Sequence, residues 1–587
     1  MNADDIRQAA EALEGALGDP WDATLPTSYA AALRHDESEL FPQDGWDALL
    51  SQDYFGAFIP TAEGGRLRRF DELLQLGRVV CRRDVTLGVA AGQCLLASLP
   101  VWIGGDASQR ARVATLLRAG GAGGLALTEQ AHGSDLAASE LRAVARGDGY
   151  RLDGEKWCIN NATRGAFITA LARTDADGGP RGFSLFCVDK ARVVGGLAPL
   201  PRLPTHGVRA ADISGMRFEG AQVRDDTRVG REGAGLPLVL RTMQVSRTLC
   251  AAFSLGAADS ALRLATDFAL RRSLYGGPII ELPAVRARLS RAYRRVLLAD
   301  AIAHVGTRAL SVFPEQMSLL SAVVKVAVPQ LAMDAIADCA VVLGARHYLR
   351  VGPYAGFQKL MRDAALISLF DGSAEVNRHI LAGQLGRVSL ARDAELSSRG
   401  DDVLRGVRAV AALDHAVPDM RWDALKTSNR GRDDLLTAAL VSRAPGGGDA
   451  GGGDAAGGDA GGGGADDAAA RAMETVAAQV RALDAAVRAQ EERGDASATS
   501  ALADRYVWLT VAASVAHVAA ASPRCALGTH FDAEVLVHDA LALGGLLPAS
   551  AAETRDAPML DALLSLQRER RSFGLNPFAI ADSEVPA

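Results

Sequence analysis

Hydrophobic residues along this chain follow two different spacings. In residues 1–122 apolar side chains recur three and four positions apart, as in Phe70–Leu76, and this spacing predicts a set of helices. From 123 to 232 the pattern changes to short apolar runs separated by Gly and Asp turns, which predict a compact β-domain. The clearest of these runs are Tyr150–Trp157, Ala166–Ala172 and Phe183–Val188.

Helical spacing returns after residue 232. Between 233 and 395, three long segments are typical of a four-helix bundle: 242–272, 281–307 and 316–343. The segment 242–272 is predicted to be one helix that ends at a Gly cap. Residues 396–587 predict a helical extension, with helices at 468–490, 498–521 and 532–546. A Gly-rich linker at 445–465 interrupts this extension and cannot bury a core. The predicted fold class is mainly α with a central β-domain.

Composition narrows the class of protein. With 587 residues the chain exceeds one ordinary domain, and roughly three or four structural units are expected. Apolar residues make up 49% and aromatic residues 5%, which is typical of a soluble, mainly helical protein. The net charge of -7 argues against a nucleic-acid-binding protein and gives no reason to expect an anionic membrane surface as a partner.

Cysteine usage and hydrophobic runs bear on the compartment. The seven cysteines are scattered, odd in number and never in a Cys-x-x-Cys pattern, which indicates reduced cytosolic thiols and no zinc site. The N-terminus is acidic and lacks an apolar core, so no signal peptide is expected. No run of about twenty apolar residues occurs, so no transmembrane helix is predicted. We expect a cytoplasmic protein without a metal.

The segment richest in candidate chemistry lies late in the chain. Leu360–Asp363 is followed by Leu369–Ser373 and then by Glu375–Arg378. Asp371, which precedes Gly372, either caps the helix that follows or serves as a general base. The residues alone leave both roles open.

Two segments in the β-domain carry polar groups. Leu127–Asp135 places Thr128, Gly133 and Ser134 where helix gives way to strand, so its N–H groups and hydroxyls either form a simple turn or face a bound polar group. In Gly154–Ala162 we expect strand alternation, which divides the side chains between two faces: Trp157 and Ile159 on one, Cys158 and Asn160 on the other.

A further segment runs from Val245 to Gly276. It contains Arg247, the adjacent pair Arg271 and Arg272, and Tyr275. Adjacent arginines are either solvated surface groups or a guanidinium fork suited to a diphosphate.

In this order and spacing, over about residues 30–395, the segments resemble the FAD-dependent acyl-CoA dehydrogenases. The resemblance implies a β-barrel between a helical bundle and a four-helix bundle, with FAD as cofactor. The extension after the linker resembles, in position, the extra helical domain of the longer, very-long-chain members.

The resemblance also implies roles for individual residues. Asp371 stands where the family has its catalytic carboxylate, which takes the α-proton while the β-hydride passes to flavin N5. Implied substrate-binding residues are Ser134, Arg247, Phe370 and Gly372. Implied cofactor-binding residues are Thr128, Gly133, Ser134, Trp157, Ile159, Asn160, Arg272, Tyr275, Gly344, Ser373 and Glu375. In the family, the residue at the Arg272 position binds the pyrophosphate of an FAD that is held mainly by a neighbouring subunit. The resemblance therefore implies a homodimer or homotetramer.

Three positions depart from the family pattern. The family normally has Glu-Gly-Thr where this chain has Asp371-Gly372-Ser373, so the side chain is shorter by one C–C bond, roughly 1.5 Å. Some members carry the base just before the Arg247 position, and Ser246 stands there. The usual Gly-Gly-x-Gly run begins here at Gly344, and the Gln that normally precedes it is Val341.

The leading hypothesis is an FAD-dependent dehydrogenase that oxidises an acyl thioester to its trans-2-enoyl form. The residues of these motifs are most similar to the branch of the family that is found beside polyketide and peptide synthases. The acyl group is therefore expected to be carried by CoA or by a carrier protein. The implied electron acceptor is an electron-transferring flavoprotein or a similar protein. Nitroalkane oxidases use Asp at the catalytic position and provide one alternative; a flavin-binding relative with weak turnover is the other.

Overall fold

The computed structural model describes residues 3–441, 463–493, 499–522, 532–549 and 556–586. The helices predicted for the first 122 residues are confirmed. The capping box formed by Asp106 and Gln109 fixes the start of one of them. In order they are α1 (Ala3–Leu17), α2 (Tyr29–Ser38), α3 (Gln43–Ser51), α4 (Phe70–Arg83), α5 (Val85–Gly104) and α6 (Ala107–Arg118).

The central β-domain is also confirmed. Its strands are β1 (Gly123–Ala126), β2 (Arg142–Arg146), β3 (Gly149–Asn160), β4 (Phe167–Arg173), β5 (Phe183–Asp189), β6 (Leu197–Leu200), β7 (Ile213–Arg224) and β8 (Arg228–Val229). They form one mixed sheet in the order β6-β7-β3-β2-β4-β5-β8, and β1 pairs in parallel with β4. Among the described residues these pairings run from β6 to β8, and no pairing that closes the sheet into the expected barrel is found.

A β-bulge at Cys158 changes the faces of β3. Trp157 pairs with Gly215 and Ile159 pairs with Ser214, so Cys158, with φ of 59°, has no partner of its own on β7. The extra residue reverses the alternation beyond it. Trp157 and Asn160 therefore lie on one face and Ile159 on the other, and the predicted pairing of Trp157 with Ile159 on one face is wrong.

The helices after the β-domain form the bundle predicted from 233 to 395. They are α7 (Gly235–Leu249), α8 (Ala251–Arg271), α9 (Pro283–Val312), α10 (Met317–Leu343), α11 (Gly356–Ala365) and α12 (Ala374–Ala411). The last of these crosses the predicted boundary at 395, and its backbone kinks at Arg399.

The helix predicted over 242–272 is two helices, divided at Cys250. The second ends at Arg271 without a Gly cap, because Arg272 is already extended. A short hairpin follows, β9 (Ser273–Leu274) and β10 (Gly277–Pro278), and Tyr275 and Gly276 turn it with positive φ angles of 55° and 91°.

The C-terminal extension is helical as predicted, and it packs on the bundle. Its helices are α13 (Asp434–Val441), α14 (Gly463–Arg493), α15 (Thr499–Ala521), α16 (Ala533–Leu543) and α17 (Asp556–Arg568). Helix α15 contacts α9 and α12, and one hydrophobic core runs from the N-terminal helices through the bundle into the extension. The predicted linker lies outside the described residues up to 462, and 463–465 belong to α14.

Two helical segments are long and apolar enough to cross a membrane, which the sequence did not predict. They are Val85–Gly104 and Pro314–Tyr348, and 89% and 72% of their most apolar windows are buried inside the fold. Burial of this extent accounts for their composition, because both pack against other helices of the core. Six of the seven cysteines are described, all as free thiols, and Cys525 lies outside the described residues.

Candidate active site

Asp371 lies in the turn between α11 and α12. It adopts a left-handed backbone conformation with φ of 57°, and Gly372 follows with φ of 92°. The main-chain carbonyl of Asp371 accepts a hydrogen bond of 2.8 Å from Nε of Arg247. The capping role belongs to Ser373, whose hydroxyl accepts from the N–H of Val376 at 3.4 Å. The Asp371 side chain is thus not required as a helix cap.

The turn places Asp371 at the wall of a narrow, mainly apolar pocket between the N-terminal helices and the bundle. The pocket has a volume of about 50 Å³, and its walls include Tyr54, Phe58, Leu96, Leu249 and Phe253. An apolar cavity of about 150 Å³ is enough to hold benzene. The pocket therefore has room for only a small group unless side chains move.

Four polar groups surround the Asp371 carboxyl. Burial raises the pKa of Asp371 above its usual value, while Lys325, Ser246, Arg247 and Cys250 each act to lower it. The Cys250 thiol lies 3.6 Å from Oδ2 and can donate to it, because burial raises the pKa of Cys250 and keeps the thiol protonated. A carboxylate with a raised pKa is suited to take a proton near neutral pH.

Lys325 and Cys250 were not singled out by the sequence. Lys325 is buried, donates a hydrogen bond to the carbonyl of Ile367, and holds its ammonium group 4.7 Å from the ring centroid of Phe370. It therefore supports the segment that leads to Asp371. The only sequence signal for Cys250 was its position four residues after Ser246, because residues four apart share one helix face.

The loop from Thr128 to Ser134 is fixed by a buried ion pair. Nζ of Lys156 lies 2.7 Å from Glu129 and 2.9 Å from the carbonyl of Leu127. Burial acts to raise the pKa of Glu129, but the hydrogen bond from Lys156 and those from two main-chain N–H groups hold that pKa below its usual value. Thr128 is partly buried, whereas Gly133 and Ser134 are exposed. The loop is anchored at Glu129 and presents the predicted residues at its surface.

Trp157 and Asn160 share the face of β3 that looks toward the bundle. Asn160 pairs with Ile213, and Ile213 belongs to a small buried cluster against which Leu366, at the end of α11, is packed. The structure therefore brings this face close to the segment that carries Asp371. Oδ1 of Asn160 is buried and has no hydrogen-bond partner among the described residues. Ile159 lies in the β-domain core, so only its main chain can face a ligand on the Trp157 side.

Of the remaining predicted residues, Arg272, Tyr275, Gly344 and Glu375 lie at the surface, whereas Phe370 and Gly372 flank Asp371. Arg272 and Tyr275 are exposed at the hairpin, where Tyr275 is 94% accessible. Gly344 is exposed at the end of α10, and Glu375 forms an exposed ion pair with Arg378 at 2.7 Å. Phe370 packs against Phe253, with ring centroids 6.0 Å apart. Gly372 is adjacent to Arg247: a Cβ added there would lie 2.8 Å from the Arg247 guanidinium.

The arrangement of a helical bundle, a β-domain and a second bundle around a buried carboxylate fits an oxidoreductase of the flavoprotein class, which the comparisons with known proteins support. Family models of acyl-CoA dehydrogenases match the chain at residues 124–221, the middle domain, and 233–386, the C-terminal domain. Cyclohex-1-ene-1-carbonyl-CoA dehydrogenase of Geobacter metallireducens is 30% identical over 360 residues, which are 60% of this chain and 91% of that protein. The chain belongs to the acyl-CoA dehydrogenase family.

Solved structures show the same fold. Butyryl-CoA dehydrogenase from Megasphaera elsdenii superposes with a TM-score of 0.59 at 20% identity, covering 65% of this chain and 97% of that one. The prolyl acyl carrier protein oxidase AnaB gives a TM-score of 0.59 at 23% identity, covering 65% and 98%. The C-terminal family model ends at residue 386, so the extension lies beyond both family models.

FAD is the cofactor, as in the rest of the family. The residues present fit it. The unpaired buried Oδ1 of Asn160 can be satisfied by a flavin-ring group, and the partly exposed indole of Trp157 lies on the same face. The exposed residues Gly133 and Ser134 carry main-chain N–H groups and a hydroxyl, which suit the anionic part of the cofactor.

Proposed function

We propose that this protein oxidises an acyl thioester to its trans-2-enoyl form, with Asp371 as the base that takes the α-proton. The observation that carries the proposal is the Asp371 carboxylate itself, which faces an apolar pocket and has a pKa raised by burial. When bound, FAD supplies the acceptor for the hydride that leaves the β-carbon. The proton ends on Asp371 and the two electrons leave with the hydride, so the reaction balances.

The chain's residues divide the work. The pocket walls exclude water from the acyl group, which strengthens electrostatic interactions inside the pocket. Arg247 and Lys325 fix the turn that carries the base by binding the carbonyls of Asp371 and Ile367. In this proposal Trp157, Asn160, Thr128 and Ser134 are the residues that contact the cofactor.

The small pocket favours a short acyl group. Its volume of about 50 Å³ leaves no room for a long hydrocarbon chain. The carrier is CoA or an acyl carrier protein; the family supports the first, and the fold shared with a carrier-protein oxidase is compatible with the second. We further propose a cytoplasmic homodimer or homotetramer that passes its electrons to an electron-transferring flavoprotein or a similar acceptor.

A nitroalkane oxidase activity is the second candidate. The short carboxylate of Asp371 and the small pocket both suit a small molecule with an acidic α-proton. In that reaction the same base removes the proton, and O₂ is the final oxidant.

Anaerobic titration of the FAD-loaded protein separates these functions. Butyryl-CoA should bleach the flavin absorbance, octanoyl-CoA should do so more slowly, and palmitoyl-CoA should not. Bleaching by nitroethane, with peroxide formed on admission of air, would favour the second candidate. The proposed function is wrong if the flavin is reduced by none of three substrates: acyl thioesters of CoA, acyl groups on a carrier protein, and nitroethane.

A further inference from the structure

A second cavity lies farther along α4, near the C-terminal end of that helix. It has a volume of about 280 Å³ and shares no lining residue with the Asp371 pocket. Helices α2, α4, α8 and α11 form its walls, and Pro586 from the C-terminal tail lies at its edge. We refer to it as the α4–α11 cavity.

Most of the lining is apolar. Trp21 and Tyr29 form an edge-to-face pair with ring centroids 4.8 Å apart, and Leu33, Leu264 and Leu360 complete the hydrocarbon surface. The volume exceeds the roughly 150 Å³ that accommodates benzene in an apolar cavity. A compact hydrocarbon group therefore fits.

Two buried guanidinium groups provide the polar part of the lining. Arg82 and Arg83 are 3% and 4% exposed. Nη2 of Arg82 pairs with Asp582, and Nη2 of Arg83 donates to Glu14 and, at 2.7 Å, to the carbonyl of Gly18. Nη1 of Arg82 and both Nε and Nη1 of Arg83 have no hydrogen-bond partner in the part of the chain that the structure describes. Buried donors of this kind normally have a partner.

The other charged groups at the cavity satisfy one another. Nζ of Lys359 lies 2.7 Å from Asp84 and 2.5 Å from Asp363. Among the described residues of the lining, the buried side-chain nitrogen and oxygen atoms without a hydrogen-bond partner are therefore the guanidinium donors. A carboxylate accepts several such donors at once, which makes it the best complement to this arginine pair.

We propose that the α4–α11 cavity is a second ligand site, which takes a small carboxylic acid with a hydrocarbon body. The carboxylate accepts from Arg82 and Arg83, and the hydrocarbon lies against Trp21, Tyr29 and Leu264. The site is independent of the Asp371 pocket, and its occupation requires no acyl thioester.

Calorimetric titration of the full-length, FAD-loaded protein with sodium hexanoate tests the site. Hexanoate should bind saturably, one molecule per chain. Hexan-1-ol should bind more weakly by roughly tenfold or more, because it cannot form charge-assisted hydrogen bonds with the arginines. Absence of saturable binding would mean that the cavity holds only water, and equal binding of the alcohol would mean that the arginines do not recognise the ligand. Either result would overturn the proposal.

Two cavity-filling variants and one control locate the bound acid. Leu264→Phe and Ala30→Leu narrow the cavity from different walls, and each should weaken hexanoate binding by roughly tenfold. Leu96→Phe narrows the Asp371 pocket and should leave hexanoate affinity unchanged. If Leu96→Phe loses hexanoate binding while Leu264→Phe and Ala30→Leu keep it, the acid binds in the Asp371 pocket and the proposal is wrong. Flavin reduction by butyryl-CoA should be unaffected in Leu264→Phe, so failure of this site and failure of the proposed dehydrogenase function are distinguishable.

Discussion

Nε of Arg247 donates a hydrogen bond of 2.8 Å to the main-chain carbonyl of Asp371, across 124 positions of sequence. This contact joins α7 to the turn that carries the candidate base. The turn contains two consecutive residues with positive φ, which an L-residue such as Asp rarely adopts without support. Arg247 therefore holds Asp371 in an unfavourable backbone conformation that directs its carboxylate into the pocket.

We expect Asp371→Asn to retain FAD and to lose flavin reduction by acyl thioester. Removal of a general base costs on the order of 10²–10⁴-fold in rate. Asp371→Glu should also be slower, because a displacement of about 1 Å can cost on the order of a hundredfold. Single-turnover reduction kinetics under anaerobic conditions provide the measurement. A fully active Asn variant would show that another group takes the proton.

Replacement of Arg247 should weaken both the fold and the reaction. Arg247→Met removes a hydrogen bond from a buried charged donor, which is worth about 1.5–3 kcal/mol, and frees the Asp371 turn. Urea denaturation should show the loss of stability, and reduction by acyl thioester should slow. Arg241→Met is the matched control on the same helix, where the side chain, among the described residues, bonds only to the carbonyl of Pro237. Equal effects of the two variants would contradict the anchoring role.

The pH dependence of flavin reduction should depend on Lys325. Because the base acts in its deprotonated form, the rate rises as pH passes upward through the raised pKa of Asp371. The Lys325 ammonium acts to lower that pKa, so Lys325→Met should move the acidic limb of the profile to higher pH. The exposed Lys426→Met serves as control and should leave the limb in place. A shift toward lower pH in Lys325→Met would rule out this electrostatic role.

Phe253 should limit the length of the acyl group. Its ring packs so closely on α5 that a Cβ added at Gly92 would lie 2.7 Å from it, and it lines the Asp371 pocket. Phe253→Ala should raise the rate with octanoyl-CoA relative to butyryl-CoA, because it opens space at the pocket wall. Leu240→Ala, at an exposed position of α7, should not alter the ratio. An unchanged ratio in Phe253→Ala would place the acyl chain elsewhere.

The C-terminal tail should stabilise the whole molecule through Asp582. This carboxylate is 3% exposed, pairs with Arg82, and lies 3.8 Å from Arg263. Asp582→Asn removes one of the two buried carboxylates beside Arg82, the other being Glu14 at 3.2 Å, and should lower the free energy of unfolding by about 3–5 kcal/mol. Asp402→Asn breaks an exposed pair with Arg405 and should cost no more than about 0.5 kcal/mol. Thermal or urea unfolding of both variants would show whether the tail is part of the cooperative fold.

Much of the architecture could be predicted from the sequence, because the hydrophobic patterns that indicate helices and strands are local. The three- and four-residue spacing before 123, the short β-type runs and the later long helices all agree with the observed elements. Predictions from the local sequence were wrong at two places, where one extra residue in a strand or the turn of a hairpin determined the backbone path. The bulge at Cys158 moved Trp157 to the face of Asn160, and the predicted Gly cap near Gly276 is the turn of a hairpin.

The sequence by itself determined the family, the order of domains and Asp371 as the candidate base, since these rest on motifs of a few neighbouring residues. Only the tertiary structure brought Cys250 and Lys325 to Asp371, docked the extension on the bundle, and buried Arg82 and Arg83 beside a second cavity. Those contacts join residues that are tens to hundreds of positions apart. Their chemistry, a raised carboxyl pKa and unpaired buried donors, arises from exclusion of water, which no local pattern records.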